Sequence, residues 1–150
     1  MGGKGYFVSN VGIGTTGPSA QLHTTGTVRF ANFGAGTATF DASGNISSAS
    51  DARLKDIQGK FSRGLSSIFL LDPILYKWNK KSGMETGHTY AGFSAQDVQK
   101  AIPEAVGENQ EGYLTLSDRP IIAALVNAVK EQQKEIEELK RQVMALKGAK

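Results

Sequence analysis

The spacing of apolar residues between Ile122 and Leu146 constrains this chain more than any other feature. A heptad register holds for four repeats, with Ile122, Val129, Ile136 and Val143 at position a and Leu125, Gln132, Leu139 and Leu146 at position d. Glu135 at g and Lys140 at the following e suit an ion pair between chains. A helix of about 28 residues extends about 42 Å at about 1.5 Å per residue, too far for a small domain to cover. Its remaining faces are densely charged, so it is expected to pack against copies of itself rather than along its own domain. β-Branched residues at a with Leu at d favour two parallel strands, and the polar Gln132 bears on that choice. The heptads alone leave dimer and trimer open. The helix is expected over 119–147, with Asp118 as its cap and Pro120 in its first turn.

Ahead of this helix the chain divides by charge. Residues 1–49 hold only Lys4, Arg29 and Asp41 of the 17 Lys+Arg and 14 Asp+Glu, together with ten of the 18 glycines. Apolar residues there alternate, as in Val28 and Phe30 and again in Ala38 and Phe40, which is strand spacing. "GTVRFANFGA" at 26–35 is followed by "GTATFDASGN" at 36–45, a near-repeat ten residues long. Short strands with glycine turns at fixed spacing suggest a fibrous or repeating β structure that needs partner chains to bury anything. The alternative, a flexible Gly/Ser-rich linker, fits poorly with regularly placed Phe and Val. "MGGKG" reads as an artificial start to a longer protein.

Residues 57–118 read as a small α+β part. Phe61, Leu65, Ile68 and Phe69 fall on one face of a helix that Pro73 stops. "ILYKWN" at 74–79 and "TYAGF" at 89–93 read as strands around a polar turn. "SAQDVQKAI" at 94–102 reads as a helix with Ser94 as N-cap and Pro103 as its end, and "GYLTL" at 112–116 as a last strand.

Composition also excludes several functions. Without cysteine there is no disulfide framework, thiolate metal site or thiol nucleophile. His23 and His88 stand apart from any carboxylate at ligand spacing, so no metal and no cofactor is expected. No leader and no run of about 20 apolar residues is visible, so no membrane is expected as a partner. A net charge of +3, with bases and acids mixed, points away from nucleic acid. "GIGTTG" at 12–17 matches a dinucleotide fingerprint, but Pro18 and more Gly/Thr-rich sequence follow where a helix would have to open. These glycines read as turn residues. Trp78 beside Tyr76 reads as core or interface.

Ser50 and Lys55 remain. A serine hydroxyl attacks only once a base takes its proton, and a lysine serves if burial or a nearby positive charge such as Arg53 favours its neutral form. Five residues do not align on a regular element, because a helix sets them about 140° apart and a strand about 17 Å apart on opposite faces. The chain must turn between them, or they must meet across a subunit interface. From spacing alone, Ser50 as a helix cap and Lys55 as a solvated side chain is the preferred reading.

"SDARLKD" at 50–56, "LLDPILYKWN" at 70–79, "GFSAQDVQKAIPEAV" at 92–106 and the closing heptads, in this order, resemble the C-terminal intramolecular chaperone domain of phage endosialidases, tailspikes and tail fibres. Ser94 stands where that family often has an aliphatic residue and Asp97 where Glu is usual. The resemblance covers about 100 residues and implies a homotrimer that helps the fibrous region ahead of it to assemble and then cuts itself off. Carried over, Ser50 is the nucleophile, Lys55 the general base, and Ala49 to Ser50 the scissile bond, with Asp51 and Arg53 in support. It places residues 1–49 as a β-structured fibre segment and 50–150 as the chaperone domain. The upstream part then belongs in the virion tail, and the chaperone is released in the host cytoplasm. Two alternatives stand beside it: a non-cleaving trimerisation and folding module, and a receptor-binding tip with an aromatic or polar pocket in the middle part.

Overall fold

A computed structural model describes residues 7–31, 37–41, 45–48 and 50–148. Two compact units divide at Ile57 and Gln58, and each has its own organisation.

In the first unit, strands β1 (Val11–Ile13) and β2 (Leu22–Thr24) pair in parallel, with Val11 opposite Leu22 and Ile13 opposite Thr24. Parallel neighbours usually need a crossover of a dozen or more residues, yet only residues 14–21 join these two. The connection therefore has to arch tightly, and Gly14 permits it with φ +81°. A Cβ at Gly14 would collide with Thr25 Oγ1, and one at Gly12 with the Thr15 carbonyl oxygen. The "GIGTTG" glycines thus shape an arch, and no helix opens there. Ser19 N donates to His23 Nδ1 at 3.2 Å within it. Strands β3 (Thr39–Phe40) and β4 (Ile46–Ser47) pair antiparallel, closed by Asn45 donating from N and Nδ2 to the Asp41 carboxylate at 2.8 and 2.9 Å. Val28 and Phe30 lie outside any strand, contrary to the alternation, and residues 32–36 and 42–44 of the near-repeat lie outside the described residues. No described residue of this unit is buried.

The second unit has a small core: Val98, Ala101, Ile102, Ala105, Ile121 and Ala124 are buried, with Phe61, Ile68, Leu71, Phe93 and Val106 packed around them. Helix α1 (Leu65–Ile68) leads to strand β5 (Ile74–Tyr76), which pairs antiparallel with β6 (Tyr90–Gly92). Helix α2 (Ala95–Ala101) follows Ser94, and Pro103 ends it by opening a 3₁₀ turn. Ser94 occupies the cap position, but its hydroxyl donates to Gln96 Oε1 at 3.2 Å instead of capping an amide. Strands β7 (Val106–Glu108) and β8 (Leu114–Leu116) form a second hairpin, and helix α3 (Asp118–Gly148) closes the chain, with Asp118 inside its first turn. This is a small α+β arrangement with short strands and a long C-terminal helix.

The helix expected across Phe61 to Phe69 is a correction. Only Leu65–Ile68 is helical, and Phe69 is 76% exposed while Leu71 turns toward the core. Helix α3 supplies the reason. Asn127 Nδ2 donates to the carbonyl oxygens of Phe61 and Arg63 at 2.9 and 2.8 Å, which holds these residues non-helical. One turn further, Glu131 Oε2 accepts from Leu65 N at 2.6 Å, and any side chain at Gly64 would strike that carboxylate.

Candidate active site

The segment 50–55 reverses direction within three residues. Asp51 enters it extended (φ −65°, ψ 136°), Ala52–Leu54 form a 3₁₀ turn, and Lys55 leaves it extended (φ −130°, ψ 129°). Two backbone bonds close the turn, Leu54 N to Asp51 O and Lys55 N to Ala52 O, each at 3.1 Å. The reversal swings the Lys55 side chain back over residue 50, where Lys55 Nζ donates to Ser50 Oγ at 2.9 Å. That distance is within reach for proton exchange between the two groups. The turn that five-residue spacing requires is therefore made locally, within one chain.

Asp51 organises the same turn. Its Oδ1 accepts from the Arg53 amide at 2.8 Å and from Nε at 3.1 Å, and its Oδ2 accepts from Nη2 at 2.8 Å. The Arg53 side chain first, and then its amide, hold the Asp51 carboxyl below its ordinary range, while Asp51 raises the Arg53 guanidinium. The guanidinium charge is thus engaged by Asp51. Ser50, Lys55 and their neighbours to Ile57 are all exposed, including the apolar Leu54 at 73% and Ile57 at 76%. Ala49 lies outside the described residues.

Other sequence candidates remain apart from this turn. Every heptad residue, Ile122, Leu125, Val129, Gln132, Ile136, Leu139, Val143 and Leu146, is exposed. Shallow grooves run beside them, one lined by Ile122, Leu125, Val126 and Val129, the other by Ile136, Leu139, Val143 and Met144. The opposite side of α3 carries the buried Ile121, Ala124 and Ala128. Tyr76, Trp78, Tyr90 and His88 pack ring against ring, with Tyr76 5.4 Å from Trp78 and 5.6 Å from Tyr90, and His88 4.6 Å from Tyr90. Among the described residues there is no group of three His, Cys, Asp or Glu that could hold a metal, and no helix long and apolar enough to cross a membrane. Asn127 and Glu131, which fix the 61–65 segment, escaped the sequence reading. Their only signal is a position three residues after each of the small residues Ala124 and Ala128 on α3.

Known proteins share this region. The family described as the chaperone of endosialidase, a serine-peptidase-type self-cleaving chaperone domain, matches residues 50–107, beginning at Ser50 and ending within β7. The long tail fiber protein Gp37 of Enterobacteria phage K3 is 34% identical over 104 residues, which is 67% of this chain and 8% of that protein. Gp37 of Enterobacteria phage T2 matches over the same share of each chain, also at 34% identity. The chain therefore spans less than a tenth of the length of these curated relatives. Residues 50–107 belong to the chaperone of endosialidase family.

Proposed function

We propose that this chain is an intramolecular chaperone of a phage tail fibre or tailspike, which assembles as a homotrimer and then releases itself by cutting between Ala49 and Ser50. The observation that carries this reading is the 2.9 Å contact between Lys55 Nζ and Ser50 Oγ at the first residues of the family match. Lys55 Nζ acts as the base that takes the Ser50 hydroxyl proton as Oγ attacks the carbonyl carbon of Ala49. The C–N bond breaks as the Ser50 nitrogen takes the proton back from Lys55, which leaves an Ala49 ester on Ser50. Water then splits the ester, giving a carboxylate at Ala49, a proton and the regenerated Ser50 hydroxyl beside the amine already freed. Nucleophile and target belong to adjacent residues, so their effective concentration is very high and modest activation suffices. Each chain reacts once.

Exposed surface supports the self-association. The chain exposes 12882 Å², whereas even two separately folded pieces of this total mass would expose only roughly 9,000 Å². The exposed heptad stripe of α3 and the unburied first unit are the surfaces that copies would cover. A coiled coil raises the mutual concentration of chains whose β regions pair slowly through non-local contacts, and release afterwards removes a route back. The cut upstream part then resides in the virion tail. The receptor-tip alternative draws no support from the middle part, whose aromatic rings pack on each other.

A denaturing gel tests the reading. The wild type should give pieces of 49 and 101 residues, and Ser50→Ala and Lys55→Ala should stay whole. A wild type that stays whole removes the peptidase claim and leaves the non-cleaving folding module. Cleavage at full rate by an assembly-defective Leu139→Asp chain would separate the chemistry from trimerisation.

A further inference from the structure

What keeps Lys55 over Ser50 is a separate question, and its answer rests on the self-cleaving reading above. The 3₁₀ turn contributes nothing to a core, since every residue from 50 to 57 is exposed. Two backbone bonds alone make a weak restraint, since a short helical turn fixes many dihedrals for few bonds. The chain also enters and leaves the turn extended, so without the turn residues 50 and 55 would stand about 17 Å apart on opposite sides of a strand. Asp51 supplies the missing restraint in two ways that can be separated. Its Oδ1 caps the Arg53 amide, and its carboxylate as a whole pairs with the Arg53 guanidinium. The ion pair is open to solvent, with the Arg53 side chain 88% exposed, so screening leaves it little strength. The cap is a short, directed bond to a backbone amide that would otherwise lack a partner in the turn.

We propose that Asp51 is the positioning residue of the Ser50–Lys55 pair and acts as an N-cap, its charge pairing with Arg53 being dispensable. The capping role needs only an acceptor oxygen two residues before the amide. Asn and Ser provide one as Asp does, and Ala does not. Asp51→Asn and Asp51→Ser should therefore cleave within about threefold of wild type, and Asp51→Ala should be slower by about fivefold to thirtyfold. Arg53→Ala, which keeps its amide and loses its guanidinium, should also stay within about threefold. Rescue by Asn and Ser marks positioning through the backbone, since general disruption of the fold would not discriminate among these side chains.

The test measures self-cleavage rates on the full chain for these variants. Amide exchange at Arg53 is read in parallel in a Ser50→Ala background, which stays whole in any event. Arg53 exchange should be about fivefold faster with Asp51→Ala than with Asp51 or Asp51→Asn. A wild type that does not cleave overturns the proposed function, and the exchange pattern then still decides the cap. Equal slowing by Asp51→Asn and Asp51→Ala, or exchange that ignores Asp51→Ala, overturns the capping role.

Discussion

The two units of this chain hold their conformations by different means. From Gln58 onward a buried cluster around Val98, Ile102 and Ile121 joins α2, the β7–β8 hairpin and the first half of α3. Up to Ile57 no described residue is buried, and shape comes from left-handed glycine, from carboxylate caps and from two strand pairs. Core burial is worth about 1.5–3 kcal/mol for each large apolar side chain, whereas a cap or an exposed bond contributes about 1 kcal/mol. The Ser50–Lys55 pair lies in the weakly held unit. On the proposed function that location suits a segment that must release what lies ahead of it.

The contrast can be broken most directly at the core. Ile102→Ala removes a fully buried side chain and should lower the unfolding free energy of the second unit by about 2–5 kcal/mol, read from a denaturant melt. Phe40→Ala, 73% exposed in the first unit, should change the melt of an unassociated chain by less than about 0.5 kcal/mol. Next in size is Asn127→Ala, which strips two carbonyl oxygens of their donor and should cost about 1–3 kcal/mol, with loss of amide protection in the 61–65 segment. Gly14→Ala should cost about 1–2 kcal/mol of local stability and abolish the hydrogen bonds between β1 and β2 in an exchange experiment. Gly17→Ala, where an added methyl meets nothing, is the control. The smallest effect concerns pH. Asp51 is held below its ordinary value of 3.8, so its stabilisation is present above that pH and is lost as pH falls through the lower folded value. A carboxyl-carbon titration should place the Asp51 midpoint below 3.8, and Arg53→Ala should bring it back up.

What the sequence disclosed follows the same division. Helix α2, the β5–β6 hairpin and α3 were legible because periodicity reports burial or a continuous stripe, and Pro103 punctuates where expected. Phe69 was misassigned because its segment is governed by Asn127 and Glu131, 64 to 66 residues away in sequence for the bonds they make. The parallel pairing of β1 and β2 was invisible because it depends on one glycine's φ and a tight arch, which alternation does not encode. At the site, spacing required a turn between Ser50 and Lys55, and the turn is there. The proposal that the pair is reactive rests on resemblance, since a serine and a lysine five apart carry no such information.

Beyond Ala128, helix α3 contains no buried residue. Past Glu131, whose carboxylate holds the Leu65 amide, about 17 residues, or about 25 Å, bury nothing. A helical end of that length is marginal in water on its own and gains order mainly from a covering surface. On the proposed association its helicity becomes a gauge of how many sister chains are within reach, rising with protein concentration and fading on dilution. The far end of the molecule would then register the supply of partners.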